Sequence, residues 1–135
     1  MGVVRGKDAP SYEVDKGVRF QDLVVKTMGS LGIGAALATY ARGALSPCGV
    51  FNSEASMTVL EGEGYLDVQG KRYKLGPADT AHVPAQIPHR LVNARRTERM
   101  VLLCVYGTVG VKRYAQNDVA CMGSDLNPFK LPDAG

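Results

Sequence analysis

The chain has only two imidazoles, His82 and His89, and they stand in one stretch crowded with turn residues. Residues 76–93 read Gly-Pro-Ala-Asp-Thr-Ala-His-Val-Pro-Ala-Gln-Ile-Pro-His-Arg-Leu-Val-Asn. Histidine is the side chain whose charge changes near neutral pH, so it serves as general base, proton carrier and metal ligand. Two readings of His89 stand side by side. As a structural group it bonds a backbone carbonyl or a neighbouring side chain. As a functional group it is a base, or a donor that orients a ligand. The other candidates for chemistry are Cys48, Cys104 and Cys121, the acids Glu54, Glu61 and Glu63, and the tyrosines Tyr40, Tyr65, Tyr73 and Tyr106.

The local pattern says how His89 is held. Gly76, Pro77 and Asp79 make a turn, since Gly supplies unusual dihedrals and Asp bonds its own backbone. Residues 80–83 form a short strand with a β-branched residue at each end. Pro84 removes a ladder donor and ends it. Residues 85–88 turn again, and His89 opens a strand over 90–93. On the first of these strands neighbours alternate faces, so an inward Val83 leaves His82 pointing outward.

The spacing of Asp79, Pro84, Pro88, His89 and Asn93 resembles the second motif of the cupins, with the motif's leading and corner glycines replaced by Ala78 and Gln86. Residues 59–64, Val-Leu-Glu-Gly-Glu-Gly, resemble the strand end and hairpin that close that family's first motif. The likeness covers residues 39–107. It implies an all-β, jelly-roll barrel of the double-stranded β-helix type, with His89 facing the interior.

The first motif of that family supplies two histidines and a glutamate to a metal. Counting back from Gly62, the glutamate position falls on Ala55. The histidine positions fall on Gly49 and Phe51 in one spacing, or on Cys48 and Val50 in the other. A catalytic metal needs about three N, O or S ligands from the protein, and His89 is the only one the resemblance retains. No cofactor is expected. Were a divalent transition metal bound, His89, Cys48 and Glu54 would be its ligands, with a bulge needed to bring Glu54 to the inner face.

Alternation and glycine placement give the remaining elements. Residues 1–16 are polar and read as an arm. Strands are expected at 18–26, 35–42, 55–61, 65–68, 71–75 and 100–106, the last buried on both faces because its apolar run is continuous. Residues 43–53 read as a loop. Residues 108–135 read as a tail across the barrel mouth or a second subunit, anchored by Phe129 and Leu131. Short strands at even spacing with glycine turns fit a sandwich or barrel.

At 135 residues the chain is expected to be one cupin domain, with its core at about residues 18–107. A net charge of +3 is too small to argue for nucleic acid, and no apolar run is long enough for a membrane span. Residues 1–10 lack an apolar leader core. Three cysteines without a CxxC argue against a disulfide frame. Together these point to a cytoplasmic protein. The resemblance adds a homodimer, paired through an edge strand at residues 18–26.

The functional expectation is a small-molecule-binding cupin without the usual catalytic metal. His89 is its polar anchor and its candidate catalytic residue, with Phe51, Met57, Val59 and Cys48 around a small organic ligand. The alternative is an enzyme. It would be a metal-free isomerase, cyclase or lyase using His89 as base, or a metal-dependent oxygenase with unusual ligands.

Overall fold

The computed structural model describes residues 2–122. In chain order the strands are β1 (Ser11–Asp15), β2 (Val18–Val24), β3 (Gly34–Tyr40), β4 (Gly49–Phe51), β5 (Ala55–Glu61), β6 (Gly64–Val68), β7 (Lys71–Leu75), β8 (Thr80–Val83), β9 (His89–Val92), β10 (Met100–Tyr106) and β11 (Arg113–Ala115). A one-turn helix, α1 (Val119–Met122), follows. Two antiparallel sheets face each other. One has the order β1-β2-β3-β10-β5-β8 and the other β11-β4-β9-β6-β7. This is the jelly-roll arrangement that the resemblance implied.

The period-two pattern of side chains builds the space between the sheets. From β10, Met100, Leu102, Cys104 and Tyr106 point inward, while Val101, Leu103 and Val105 are half-buried on the outer face. The expectation that β10 is buried on both faces is therefore corrected, because the outer face of its sheet meets solvent. From β5, Ala55, Met57 and Val59 point inward. From β3 the inward residues are Gly34, Ala36, Ala38 and Tyr40, three of them small. Their shortness keeps the barrel from filling completely.

Four further expectations are corrected. Residues 1–16 are not merely an arm, since β1 pairs with β2 through Tyr12↔Phe20 and Glu13↔Arg19. All five β1 residues are exposed or half-exposed, and the alternation of Tyr12 and Val14 with polar neighbours is too short to have announced the strand. As a result β2 is an interior strand, and the edge lies at β1 rather than at residues 18–26. The 43–53 loop contains β4, and the expected tail contains β11 and α1, with β11 pairing to β4. Finally, Cys48 and Cys121 form a disulfide across 73 positions, leaving Cys104 as a free buried thiol. The odd cysteine count thus carries no argument for a reducing compartment. Phe129 and Leu131 lie outside the described residues. No helix among the described residues is long and apolar enough to cross a membrane.

The second sheet is covered on its outer side as well. Asp67 of β6 is fully buried there, and its carboxylate accepts from Arg72 Nε at 2.7 Å and from Arg90 Nε at 2.8 Å. Arg72 also lies over the Tyr65 ring. The α1 segment packs against β6, β7 and β9, and the Gly70 amide donates to the Cys121 carbonyl at 2.7 Å.

Both turns around β8 use residues that disfavour their backbone conformation. Ala78 has φ 71° and Gln86 has φ 65°. Both side chains are exposed. Their amides donate to the Val59 and Phe51 carbonyls, which fixes the corners to β5 and β4. A left-handed conformation costs an L-residue about 1–2 kcal/mol, of which glycine's extra chain entropy takes back about 0.5–1. Ala78→Gly and Gln86→Gly are each expected to stabilise the protein by about 0.5–1 kcal/mol. Urea denaturation checks this, and a loss of stability would show that strain at these corners is not what the side chains cost.

Candidate functional site

A cavity of about 400 Å³ opens inside the barrel. Its deep part is formed by Phe51, Met57, His89, Leu91, Cys104 and Tyr106, and its mouth by Tyr12, Asp15, Asp22, Val111 and Arg113 among others. The walls are apolar and aromatic, and Phe51 organises them. Its ring lies 4.9 Å from the His89 ring, tilted at 53°, and 5.3 Å from the Tyr106 ring, edge-on at 74°.

His89 is positioned by its own chain. The tight corner ending at Pro88 brings the Ile87 carbonyl within 2.9 Å of Nδ1. A carbonyl can only accept, so Nδ1 carries the proton and Nε2 keeps its lone pair. Nε2 has no protein partner among the described residues, and the ring borders the cavity. Burial lowers the pKa of His89 below its ordinary 6.5; the Ile87 bond opposes this and the Arg113 charge adds to it. The ring is thus a neutral acceptor at physiological pH. Asn93, buried just beyond β9, donates to the carbonyls of Tyr40, Ala41 and Glu98 and accepts from the Arg95 amide. It locks the end of the strand that carries the imidazole.

The other polar groups of the cavity are held neutral. Burial raises the Tyr106 phenol far above its usual range, reinforced by the adjacent Cys104. Burial also pushes the Cys104 thiol up to about 12 and raises Tyr40.

Of the residues singled out in the sequence, His89, Phe51 and Met57 meet at the cavity. Val59 shares the inner face of β5 but lies in the packed core, away from the cavity lining. Cys48 is removed from the candidate site by its disulfide, which leaves it no thiol for a ligand or a metal. Glu54 is exposed and its carboxylate accepts from His82 Nε2 at 2.9 Å on the outside of the barrel. It therefore cannot serve as the substitute metal ligand. His82 points outward, as the alternation requires. Sequence reasoning missed Arg113, Asp15 and Ser46, and left Tyr106 as one of four undistinguished tyrosines. The parity of β10 could have found Tyr106, since it shares a face with Leu102 and Cys104. Nothing local signalled Arg113, because its place depends on β11 pairing with a strand more than fifty residues away.

The donors present do not fit a family-type metal. Gly49 and Ala55 have no ligating atom, Phe51 presents a ring, and the side chain of Arg113 lies against Gly49. No three His, Cys, Asp or Glu side chains converge among the described residues. A lone imidazole beside a guanidinium is a poor home for a cation.

Sheet order and corner define a jelly-roll barrel with a cavity between its sheets. Residues 52–106 match the family model described as a cupin domain. Over that stretch the chain is similar to the cupins. Its fold is similar to that of an RmlC-like cupin from Shewanella frigidimarina, with a TM-score of 0.70 and 18% identity over 82% of this chain and 93% of that one. It is also similar to the polyketide cyclase RemF from Streptomyces resistomycificus, with a TM-score of 0.75 and 18% identity over 96% of both chains. At such identities these likenesses concern the fold alone. An uncharacterized protein of Methanocaldococcus jannaschii is 27% identical over 56 residues, which is 42% of this chain and 45% of that one. The match thus spans less than half of that relative's length.

The His89 shift has a testable sign. Its folded pKa lies below the unfolded value, so the unfolded chain takes up a proton first as pH falls. Stability is fully present above about pH 6.5 and declines as pH drops from there through the folded pKa. Tyr106 and Cys104 line the same cavity, and burial keeps both neutral through this window. Unfolding midpoints of wild type and His89→Gln, measured from about pH 7.5 to 5, should diverge with the wild type losing more. Parallel curves would show that the folded imidazole titrates normally.

Proposed function

We propose that the barrel binds a small, largely apolar organic ligand, with His89 as its central polar anchor and Phe51 and Met57 as walls. The carrying observation is a neutral imidazole whose Nε2 is open to a cavity with aromatic and aliphatic sides. Pockets of a few hundred Å³ with few polar groups are the usual form of small-molecule sites. A ligand hydroxyl or N–H donates to Nε2, and its body lies against Phe51 and Tyr106.

A second reading makes the protein an enzyme, a metal-free isomerase, cyclase or lyase. Its support is the protonation state of His89, since a neutral ring with a free Nε2 is the form a general base takes. The full-length likeness to a protein titled a polyketide cyclase agrees with this reading. Both readings share one site and one set of residues.

We also propose that the site works without a resident transition metal, on the donor chemistry given above. Metal analysis of tag-free protein should find no stoichiometric Fe, Mn, Ni or Zn. A full equivalent that disappears in His89→Ala would overturn this.

The ligand proposal is tested by an NMR fragment screen. Hits should perturb His89, Phe51 and Met57 resonances. His89→Ala should weaken them about tenfold, the worth of one buried hydrogen bond, and leave the barrel folded. Phe51→Ala should cost about 3–5 kcal/mol of stability through the cavity it opens and weaken binding too. Hits that persist unchanged in His89→Ala, or that map away from the barrel interior, would place the site elsewhere.

A further inference from the structure

We propose that the ligand is a monocarboxylate with an apolar body, and that Arg113 binds its carboxylate. This rests on the reading that the barrel interior is a ligand site, and it adds the class of ligand.

The argument begins with register. Arg113 on β11 lies opposite Phe51 on β4, and Gly49 on β4 lies opposite His89 on β9. Residues directly opposite share a face, as do residues two apart on a strand. Arg113, Phe51, Gly49 and His89 therefore form one row across the inner face of the sheet, and Arg113, Phe51 and His89 border the cavity. The missing side chain at Gly49 makes the row possible. A Cβ there would stand 2.7 Å from Arg113 Nε and 3.2 Å from its Cγ. The arginine occupies the volume that any other residue at position 49 would claim.

Two bonds aim the guanidinium. NH1 donates to Asp15 Oδ2 at 3.2 Å, and NH2 donates to the Pro47 carbonyl. A guanidinium carries five N–H donors in a rigid fork, so donors remain for a third partner. That fork matches the planar carboxylate. The fork geometry of Arg113 selects the carboxylate, and the charges around it disfavour a doubly negative ligand. Among the described residues Arg113 is the only cation bordering the cavity, and the carboxylates of Asp15 and Asp22 stand at the same mouth. A doubly charged phosphate would meet them with too little positive charge to offset it. The depth of the cavity is neutral and aromatic, so the rest of the ligand is apolar.

The test uses 2-naphthoate and 2-acetylnaphthalene, a neutral ketone of the same planar shape, titrated by NMR or calorimetry. Wild type is expected to bind the naphthoate about tenfold more tightly, as one charge-assisted pair allows. Arg113→Gln should erase that preference while leaving the ketone's affinity unchanged. Gly49→Ala, which displaces the guanidinium, should do the same. Arg113→Lys keeps the charge and should retain part of the preference, which separates lost recognition from a damaged β11. Equal affinities in wild type, or a preference that survives Arg113→Gln, would overturn the carboxylate assignment. If the ketone still bound, and bound more weakly in Phe51→Ala, the barrel site itself would stand. If neither probe bound, both the assignment and the barrel site would fall.

Discussion

An arginine buried in a β-sheet needs a carboxylate, and much of this molecule follows from Arg90 having one. The strand that carries His89 on its inner face carries Arg90 on its outer face. α1 packs against β9 and its neighbours, and Arg90 is buried, so the guanidinium has no water to turn to. Asp67 on the neighbouring strand supplies the charge and shares it with Arg72. Buried ion pairs add little to stability compared with an apolar replacement, yet losing one member costs about 3–5 kcal/mol. The group of three therefore acts chiefly on register. A one-residue slip of β9 against β6 would turn Arg90 into the barrel and His89 out of it.

The inner face shows the opposite strategy. There the chain avoids charge wherever the barrel is deep, leaving His89, Tyr106, Tyr40 and Cys104 as neutral polar groups among hydrocarbon. Charged groups gather only at the mouth, where Arg113 meets Asp15 and where Tyr12 donates to Asp22 at 2.7 Å. The result is a gradient from a wet, charged rim to a dry interior with one lone pair exposed. Phe51 and Gly49 place no ligating atom on the inner face of β4, which keeps that gradient unbroken.

What could be read from the sequence divides along a physical line. Strands with one apolar face, such as β5 and β10, declare themselves by alternation, and the corner before His89 declares itself by Pro84, Pro88 and Asp79. The two corner positions that depart from glycine, Ala78 and Gln86, take the left-handed backbone all the same, because their amides are held by carbonyls of β5 and β4. Features that depend on pairing at a distance left no local trace. Strand β1 is short and largely exposed, and exists because β2 offers an edge. Strand β11 exists because β4 does. The disulfide joins two cysteines whose separation carries no motif. Arg113, seen alone, is one basic residue in a stretch without pattern.

The disulfide also has a topological consequence. It closes a covalent ring from residue 48 to residue 121, and the ring contains Phe51, Met57, His89, Cys104, Tyr106 and Arg113. Outside it lie β1, β2 and β3, which supply the rest of the cavity rim. A cross-link lowers the entropy that the enclosed chain can gain by opening, by about 4 kcal/mol for a loop of this order on the chain-entropy account. Segments outside the ring gain no such restraint, and β1, at an edge and largely exposed, is the least held of them. In the oxidised protein, local opening is thus directed to one side of the barrel, and the side that opens is written into the covalent connectivity of the chain.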